Sequence, residues 1–337
     1  MNIQLLDYLC DPVDKSPLTL TGAVLTTSGQ VQSGTLLSQS GRRFPIADGI
    51  PRFVELSGSA LASVDSFGNE WNHFNFDDFK ANWLTHTVKN TFGSIAAFEG
   101  QLVVDCGAGS GMQTKWIAEA GARHVIALEL SHSVDDVMQR NLKGIANVDI
   151  VQCSIDQPPL RSRSIDGIVI CHNVIQHTPS VERTARALWD LVGQGGEFVF
   201  NCYPKNELGL IRKLRLAWYS VLRAVLSRCS FSMLLVYARA MAFLRFLPLL
   251  GWFLEKTGFM VRGHVPPGPN WVRRAYKSGV LNTFDCYGSH SFQHLKTDAE
   301  IRALVAELQP AAGLVRNADR YFLRPQPIGI ALRVGRG

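Results

Sequence analysis

Short apolar runs punctuate this chain and set its expected elements. Leu102-Val103-Val104, then His124 to Leu130, then Val148 to Cys153 are brief, rich in apolar and β-branched residues, and followed by polar or glycine positions. Runs of that kind suit buried parallel strands. The segments between them, Met112 to Ala120 and Val134 to Asn141, have helical character. Further along, Ile165 to Cys171 and Glu197 to Cys202 read as strands, joined by an amphipathic helix ending near Val192 and a Gly195-Gly196 turn. That is a β-α-β unit. Residues 297 to 309 read as a helix with Thr297 as N-cap and Glu300 completing a capping box. Strands alternating with helices place the chain in the α/β class.

Two regions stand outside this alternation. The first sixty residues carry LLDYLCDPVDKSPLTL, a polar Gly/Ser/Thr stretch and GRRFPIADGIPRFV; the small, polar SGSALASVDS after them reads as a linker. FGNEWNHFNFDDF, dense in aromatics, reads as a cap packed on the next domain. The second region runs from 204 to 296. Its NELGLIRKLRLAWYSVLRAVLSR puts Arg and Lys on one stripe and Leu, Trp and Val on the other, an amphipathic helix. The next apolar run, FSMLLVYARAMAFLRFLPLLGWFLE, is interrupted by Arg239, Arg245 and Pro248 and fails as a transmembrane span. This region reads either as a helical cap on the core or as an interfacial membrane face and lipid-binding lid.

Composition narrows the class. A chain of 337 residues with 46% hydrophobic content is globular, and its length allows about two domains. The start, MNIQLLDYLCDP, has neither a basic n-region nor a long apolar h-region, so secretion is not expected. Seven irregularly spaced cysteines without a C-x-x-C pair suit reduced thiols in the cytoplasm. No His, Asp or Cys cluster has metal-site spacing. The net charge of +6 is unevenly placed: Lys205 to Lys277 holds thirteen Lys and Arg against Glu207 and Glu255, or +11, leaving −5 elsewhere. That points to a local anionic partner, a membrane surface or phosphorylated substrate, and away from nucleic acid.

The chemistry-bearing stretch is QLVVDCGAGSG, residues 101 to 111. Asp105 ends the strand just before Gly107, Gly109 and Gly111. Glycines there allow positive φ and let a ligand approach the main chain. A strand, a glycine loop and a helix make a nucleotide-type cradle, the bland alternative being a glycine-rich turn with no ligand. A dinucleotide fingerprint wants Gly-x-Gly-x-x-Gly, but Met112 stands at the third glycine and Asp105 where that fingerprint has no acid. The spacing Asp-x-Gly-x-Gly-x-Gly instead resembles the first motif of class I S-adenosylmethionine (SAM)-dependent methyltransferases, of the type 11-like superfamily. SIDGIVICHNVIQHTPS and GQGGEFVF resemble the fourth and fifth strands of that fold, and AGLVRNADRYF with PIGIALRV its closing antiparallel hairpin. The implied architecture is Rossmann-like, with a seven-stranded, mostly parallel sheet. The N-terminal pattern resembles a small zinc-ribbon-like domain found as a partner of, or fused ahead of, methyltransferases. Asp11 and Asp14 stand where that domain has its first zinc cysteines, and the second pair is missing around Leu37 to Gly41. Cys10 alone cannot make a tetrahedral thiolate site, so a metal-free module is expected.

The resemblance implies SAM as cofactor, held by Asp105, Gly107, Ala108, Gly109 and Gly111, by Glu129, by Ser154, Ile155 and Asp156, and by Cys171. Glu129 ends the second strand about twenty residues past the loop, where a ribose diol needs a two-oxygen acceptor. Related enzymes carry Gly-Asp where Cys153-Ser154 stands, so Ser154 or Asp156 reads adenine. In similar fused enzymes an F-G-x-x-W segment occurs where Phe67 to Trp71 stands, and it would close over the cofactor. Methyl transfer from a sulfonium needs little beyond in-line placement, with a base required only for a hydroxyl acceptor. His177 and His172, at the end of the fourth strand, are the candidate bases; His290 and His294 are rivals. The expected layout is a zinc-free ribbon-like domain at 1–56, a linker and cap at 57–100, a SAM-binding core at 101–203 and 297–337, and a helical insertion at 204–296 serving as substrate lid. The expected function is O- or C-methylation of a small-molecule, glycan or lipid-linked acceptor, with peripheral contact to an anionic inner membrane face through 208–262. The alternative is a non-catalytic SAM-fold partner subunit, which measured SAM affinity separates. A nicotinamide oxidoreductase is disfavoured by Asp105 and Met112.

Overall fold

The computed structural model describes residues 1–54, 67–74, 76, 79–205, 210–263, 265, 268–288, 292–310, 315–317 and 329–334. The chain divides into two units. One comprises Met1–Ser57, Phe79–Lys205 and Phe292–Gly337, the other Gly58–Asp78 and Asn206–Ser291. The cap drawn at 57–100 is therefore shared between them, and the linker at 57–66 lies outside the described residues.

The first unit opens with four antiparallel strands in sequence order, β1 (Leu18–Leu25), β2 (Val31–Ser38), β3 (Arg43–Ala47) and β4 (Ile50–Pro51). Asp48 (φ 52°) and Gly49 (φ 74°) turn the chain from β3 into β4. Two consecutive left-handed residues match the twist of a tight hairpin. The corner with Asp11 and Asp14 and the corner after β2 are tied by one guanidinium. Arg42 Nε lies 2.7 Å from Asp11 Oδ2, and Nη2 lies 2.5 Å from Asp14 Oδ2. Asp11 also accepts the Val13 N–H at 2.8 Å and Asp14 the Ser16 N–H at 2.9 Å, each closing its own turn. Cys10 is buried, its N–H bonded to the Pro159 carbonyl at 3.0 Å.

This module shares one hydrophobic core with the α/β part of the unit. Leu5, Leu9, Val31, Leu36 and Ile46 cluster with Leu102, Val104, Ile126 and Val151. The α/β part comprises β5 (Leu102–Cys106), α1 (Met112–Glu119), β6 (His124–Glu129), α2 (Val137–Leu142), β7 (Val148–Gln152), β8 (Ile168–Cys171), α3 (Val181–Trp189) and β9 (Glu197–Phe200). A separate parallel pair, β10 (Tyr203–Pro204) and β11 (Leu295–Lys296), stands where the chain leaves for the second unit and where it returns.

The second unit is helical: α4 (Leu210–Leu226), α5 (Phe231–Leu244), α6 (Pro248–Thr257) and α7 (Trp271–Tyr287), with residues 67–73 also helical. Pro248 at the first turn of α6 separates it from α5, as a residue without an N–H can open a helix but not continue one. The aromatics ahead of the core belong here, Phe74 meeting Phe284 at 5.5 Å between ring centroids. Phe231 packs against the same ring at 4.9 Å. Among the described residues no helix is long and apolar enough to cross a membrane.

Back in the first unit, α8 (Asp298–Glu307) carries the expected capping box of Thr297 and Glu300. β12 (Val315–Arg316) and β13 (Ile330–Arg333) complete a sheet of order β12-β13-β9-β8-β5-β6-β7. The strands from β5 to β9 are parallel, and β13 runs antiparallel to both β9 and β12. That is the Rossmann-like methyltransferase architecture expected from the sequence. The chain builds outward from β5 on one side through β6 and β7, then crosses to β8 and β9 on the other. Ligands of open α/β sheets bind at such a switch point, beyond the carboxyl ends of the strands. Here that point is the loop after β5.

Candidate functional site

Gly107, Gly109 and Gly111 all have positive φ (78°, 58° and 77°), as the spacing predicts. Two of them are also fixed by packing. A Cβ on Gly107 would run into Val174 from the loop after β8, and one on Gly111 would press on Met138 and Leu142 of α2. Gly107 and Ala108 both donate N–H to the Leu128 carbonyl (2.8 and 3.0 Å), Ser133 Oγ donates to the Gly109 carbonyl (2.8 Å), and Asn141 Nδ2 to the Ser110 carbonyl (2.8 Å). The loop is held from below by β6 and from the side by α2.

Asp105 is fully buried at the end of β5. Its Oδ2 accepts from Thr114 Oγ1 at 2.7 Å and its Oδ1 from Gln113 Nε2 at 2.7 Å. Gln113 is itself oriented, because Trp83 Nε1, which can only donate, bonds its Oε1 at 2.9 Å. Indole, amide and carboxylate form a relay that the sequence did not disclose. Trp83 opens a short π-helix, Trp83–Val88. Burial drives the Asp105 carboxyl up to about 6; the bonds from Thr114 and Gln113 oppose this, and the charge of Glu129 adds to it.

Glu129, at the end of β6 and buried, accepts the Gly109 N–H on Oε2 (2.7 Å) and the Ser131 N–H on Oε1 (2.8 Å). Among the described residues neither Asp105 nor Glu129 is paired with a cation. After β7, Ser154 Oγ donates to Asp156, whose other oxygen lies 3.8 Å from Arg183; Ile155 is buried in the core. The N-terminal module braces this end of β7: the Phe53 N–H donates to the Gln152 carbonyl (2.8 Å) and Arg52 to Gln152 Oε1 (2.7 Å). Cys171 is a buried apolar wall, its thiol pushed up by burial.

The histidines separate by environment. His172 Nε2 lies 3.2 Å from Thr87 Oγ1, and burial pushes its pKa down to about 4, so the ring is neutral at ordinary pH. His177 Nδ1 lies 3.1 Å from the Phe292 carbonyl, which only accepts; the proton belongs on Nδ1, which makes Nε2 the basic nitrogen. Its ring meets Tyr203 edge-on at 5.7 Å. His294 stitches the returning chain to the same turn through its N–H to the Gln176 carbonyl (2.9 Å) and Nε2 to the Thr178 carbonyl (3.1 Å). His290 lies outside the described residues.

Three amides escaped the reading of the sequence, Asn173, Asn201 and Gln176. Asn173, with φ 59°, exchanges bonds with the buried Asn201 just past β9: its N–H reaches Asn201 Oδ1 at 2.7 Å, and Asn201 Nδ2 reaches Asn173 Oδ1 at 2.6 Å. Asparagine tolerates the left-handed conformation better than most residues, and an Asn just past each of two adjacent strands was the available signal. Gln176 is fully buried, and neither Oε1 nor Nε2 has a hydrogen-bond partner among the described residues. An unpaired buried amide is costly enough to need a reason.

Residues 104–200 match the family described as "Methyltransferase domain". The match runs from β5 to the end of β9 and takes in the glycine loop together with the strand ends that carry Glu129, Ser154 and Cys171. A ubiquinone biosynthesis O-methyltransferase from Aromatoleum aromaticum is 30% identical over 112 residues, 33% of this chain and 47% of that protein. A demethylmenaquinone methyltransferase from Clavibacter sepedonicus is 26% identical over 134 residues, 39% of this chain and 51% of that protein. The chain thus spans about half the length of these curated relatives. The crystal structure of a SAM-dependent methyltransferase from Mesorhizobium loti aligns at 26% identity over 31% of this chain and 47% of that one, with a TM-score of 0.29. The fold assignment stands on strand order and the antiparallel β13.

Proposed function

We propose that this chain is a SAM-dependent methyltransferase acting on carbon or oxygen of a small-molecule acceptor. The observation that carries the reading is the pair of buried carboxylates, Asp105 and Glu129, flanking one glycine loop at the switch point with no cation from the described residues to offset them. Such a donor set fits a ligand with positive charge and a diol. SAM supplies an electrophilic methyl on a cationic sulfur. Each Glu129 oxygen has lone-pair capacity beyond the N–H it already accepts, enough for two ribose hydroxyls. Asp105 fixes the start of the loop and favours positive charge nearby. Ser154, its proton given to Asp156, can accept from an amino group. For a hydroxyl acceptor, the proton goes to His177 Nε2 rather than to His172, whose depressed pKa makes it a poor base.

Among small-molecule, glycan and lipid-linked acceptors, the small-molecule class is favoured by the relatives named for ubiquinone biosynthesis and demethylmenaquinone. The excess of positive charge between Lys205 and Lys277 favours an acceptor met at an anionic membrane face. The chain leaves and rejoins the core through β10 and β11, paired beside the turn that carries His177. An insertion rooted there is suited to act as a lid that selects the acceptor, with its basic helix α4 attracted to an anionic membrane face.

Calorimetric titration with SAM tests the assignment. Wild type is expected to bind and Asp105→Ala to lose binding by more than about 100-fold, the size of a charge-assisted interaction in a buried site. Equal affinity in the two removes the reading. Tight binding without methyl transfer to any amphiphilic acceptor would favour the partner-subunit alternative.

A further inference from the structure

The helical unit hides one face of α5 and shows another that is equally apolar. Leu234, Leu235, Ala238 and Ala242 are buried against Val280, Phe284 and Tyr287 of α7. Met233, Val236 and Phe243 point the other way and are exposed, Phe243 to 67%. The exposed row continues past Pro248 into α6, where Leu249 is 87% exposed and Trp252 and Phe253 are at least half exposed. A surface helix of a globular domain ordinarily turns polar residues outward. A contiguous exposed apolar patch marks an interaction surface.

The charges along this ridge say what it meets. Arg239 is exposed between Val236 and Phe243, and Lys256 lies beyond Phe253. Glu255, the acid on these two helices, is paired with Arg262 at 2.9 Å. A second copy of the chain would bring a segment of +11 against another of +11. An anionic bilayer instead offers phosphates to the cations and an acyl boundary to the apolar side chains. Tryptophan and phenylalanine are at home at that depth. No described helix can span, so the ridge would lie in the interface.

We propose that the α5–α6 ridge inserts into the headgroup region of an anionic bilayer, with Met233, Val236, Phe243, Leu249, Trp252 and Phe253 entering it and Arg239 and Lys256 at the phosphates. This rests on the membrane reading of the insertion and adds a second component to it. The basic residues in the sequence of α4 attract at long range and are screened by salt, whereas the ridge contributes an apolar component that salt does not screen.

Sedimentation with vesicles of phosphatidylcholine doped with phosphatidylglycerol tests both, using the full chain. Three proteins are compared: wild type, the ridge variant Leu249→Ser/Trp252→Ser/Phe253→Ser, and a charge variant with Arg212, Lys213, Arg215, Arg223 and Arg228 changed to Gln. The ridge variant should keep its melting temperature and SAM affinity, because its three side chains are exposed. Wild type should bind with a fraction that survives high salt, and the ridge variant should lose that fraction, weakening about tenfold or more. Wild-type binding that salt abolishes, with the ridge variant binding equally, overturns the ridge and leaves the charge-driven reading intact. Absence of wild-type binding at low salt removes both. A wild-type dimer that the ridge variant converts to monomer reassigns the face to self-association and overturns the proposal.

Discussion

Asp11 and Asp105 are both fully buried aspartates of the first unit, and their surroundings push them in opposite directions. Burial works to raise the Asp11 pKa, yet bonds from Arg42, the Val13 N–H and Ser38, with the charge of Arg42, outweigh it and leave the carboxyl below its ordinary value. Asp105 receives bonds of similar length from a hydroxyl and an amide, and burial wins. At Asp105 two bonds from neutral groups fall short of the cost of burial, whereas at Asp11 a charge-assisted bond from Arg42 joins those of Val13 and Ser38. The N-terminal module brings its own cation in Arg42, whereas the described residues at the switch point bring none, and a cationic ligand is what would make the second site resemble the first.

The sharpest way to break this comparison is Asp11→Ala. It removes one of the two carboxylates that Arg42 bridges and strands the Val13 N–H, so a loss of roughly 3 kcal/mol in unfolding free energy is expected. Denaturant unfolding measures it. A loss near zero would mean that the Arg42 clip contributes nothing to the module.

The converse change, Asp105→Asn, should stabilise the ligand-free protein. The folded pKa of Asp105 lies near 6, against about 3.9 for an unfolded chain, so keeping it ionised costs up to roughly 3 kcal/mol. The sign follows from the raised value. Below about pH 4 both states are protonated and no cost arises; between about pH 4 and 6 the unfolded state ionises first, and stability falls as pH rises. Asp11 has the opposite sign, its contribution being present above the ordinary aspartate pKa and lost as pH falls through its depressed one. Melting curves from about pH 4 to 7 should therefore diverge between wild type and Asp105→Asn as pH rises, the variant staying higher while binding SAM more weakly. Parallel curves would show that Asp105 carries no such cost.

The difference between the two aspartates also marks how far the sequence could be read. The glycine loop, Glu129 and the Thr297 capping box were legible because each is a local pattern: a short apolar run, positive-φ residues, a fixed register, a three-residue spacing. The Arg42 clip joins groups about thirty residues apart, and the Trp83–Gln113–Asp105 relay spans a similar distance through a π-helix, so no local period announces either. Helix α7 was not delimited within the expected helical insertion, for a different reason. Its buried positions include Ala275, Ser278, Gly279 and Thr283, and a Cβ on Gly279 would come within 3.2 Å of Ala242 on α5. Close approach of two backbones selects small residues where an amphipathic pattern would show large apolar ones. The aromatics from Phe67 to Phe76 were visible as a cluster, but which unit they bury against depends on Phe231 and Phe284, far along the chain.

The smallest predicted effect tests the relay itself. Gln113 can present its NH2 to Asp105 only if its carbonyl oxygen faces elsewhere, and the Trp83 indole N–H is the donor that holds it there at 2.9 Å. Trp83→Phe keeps an aromatic ring in place against Trp116 and Phe98 while deleting that donor. One neutral hydrogen bond is worth about 1 kcal/mol, so SAM affinity should weaken by several-fold, far less than for Asp105→Ala, through poorer orientation of Gln113. The discriminating measurement is the double-mutant cycle with Gln113→Leu. If Trp83 acts through Gln113, Trp83→Phe has no further effect once Gln113 is gone. Additive losses would mean that Trp83 supports the site by packing alone, and Asp105 would then be held by Thr114 and the backbone around it.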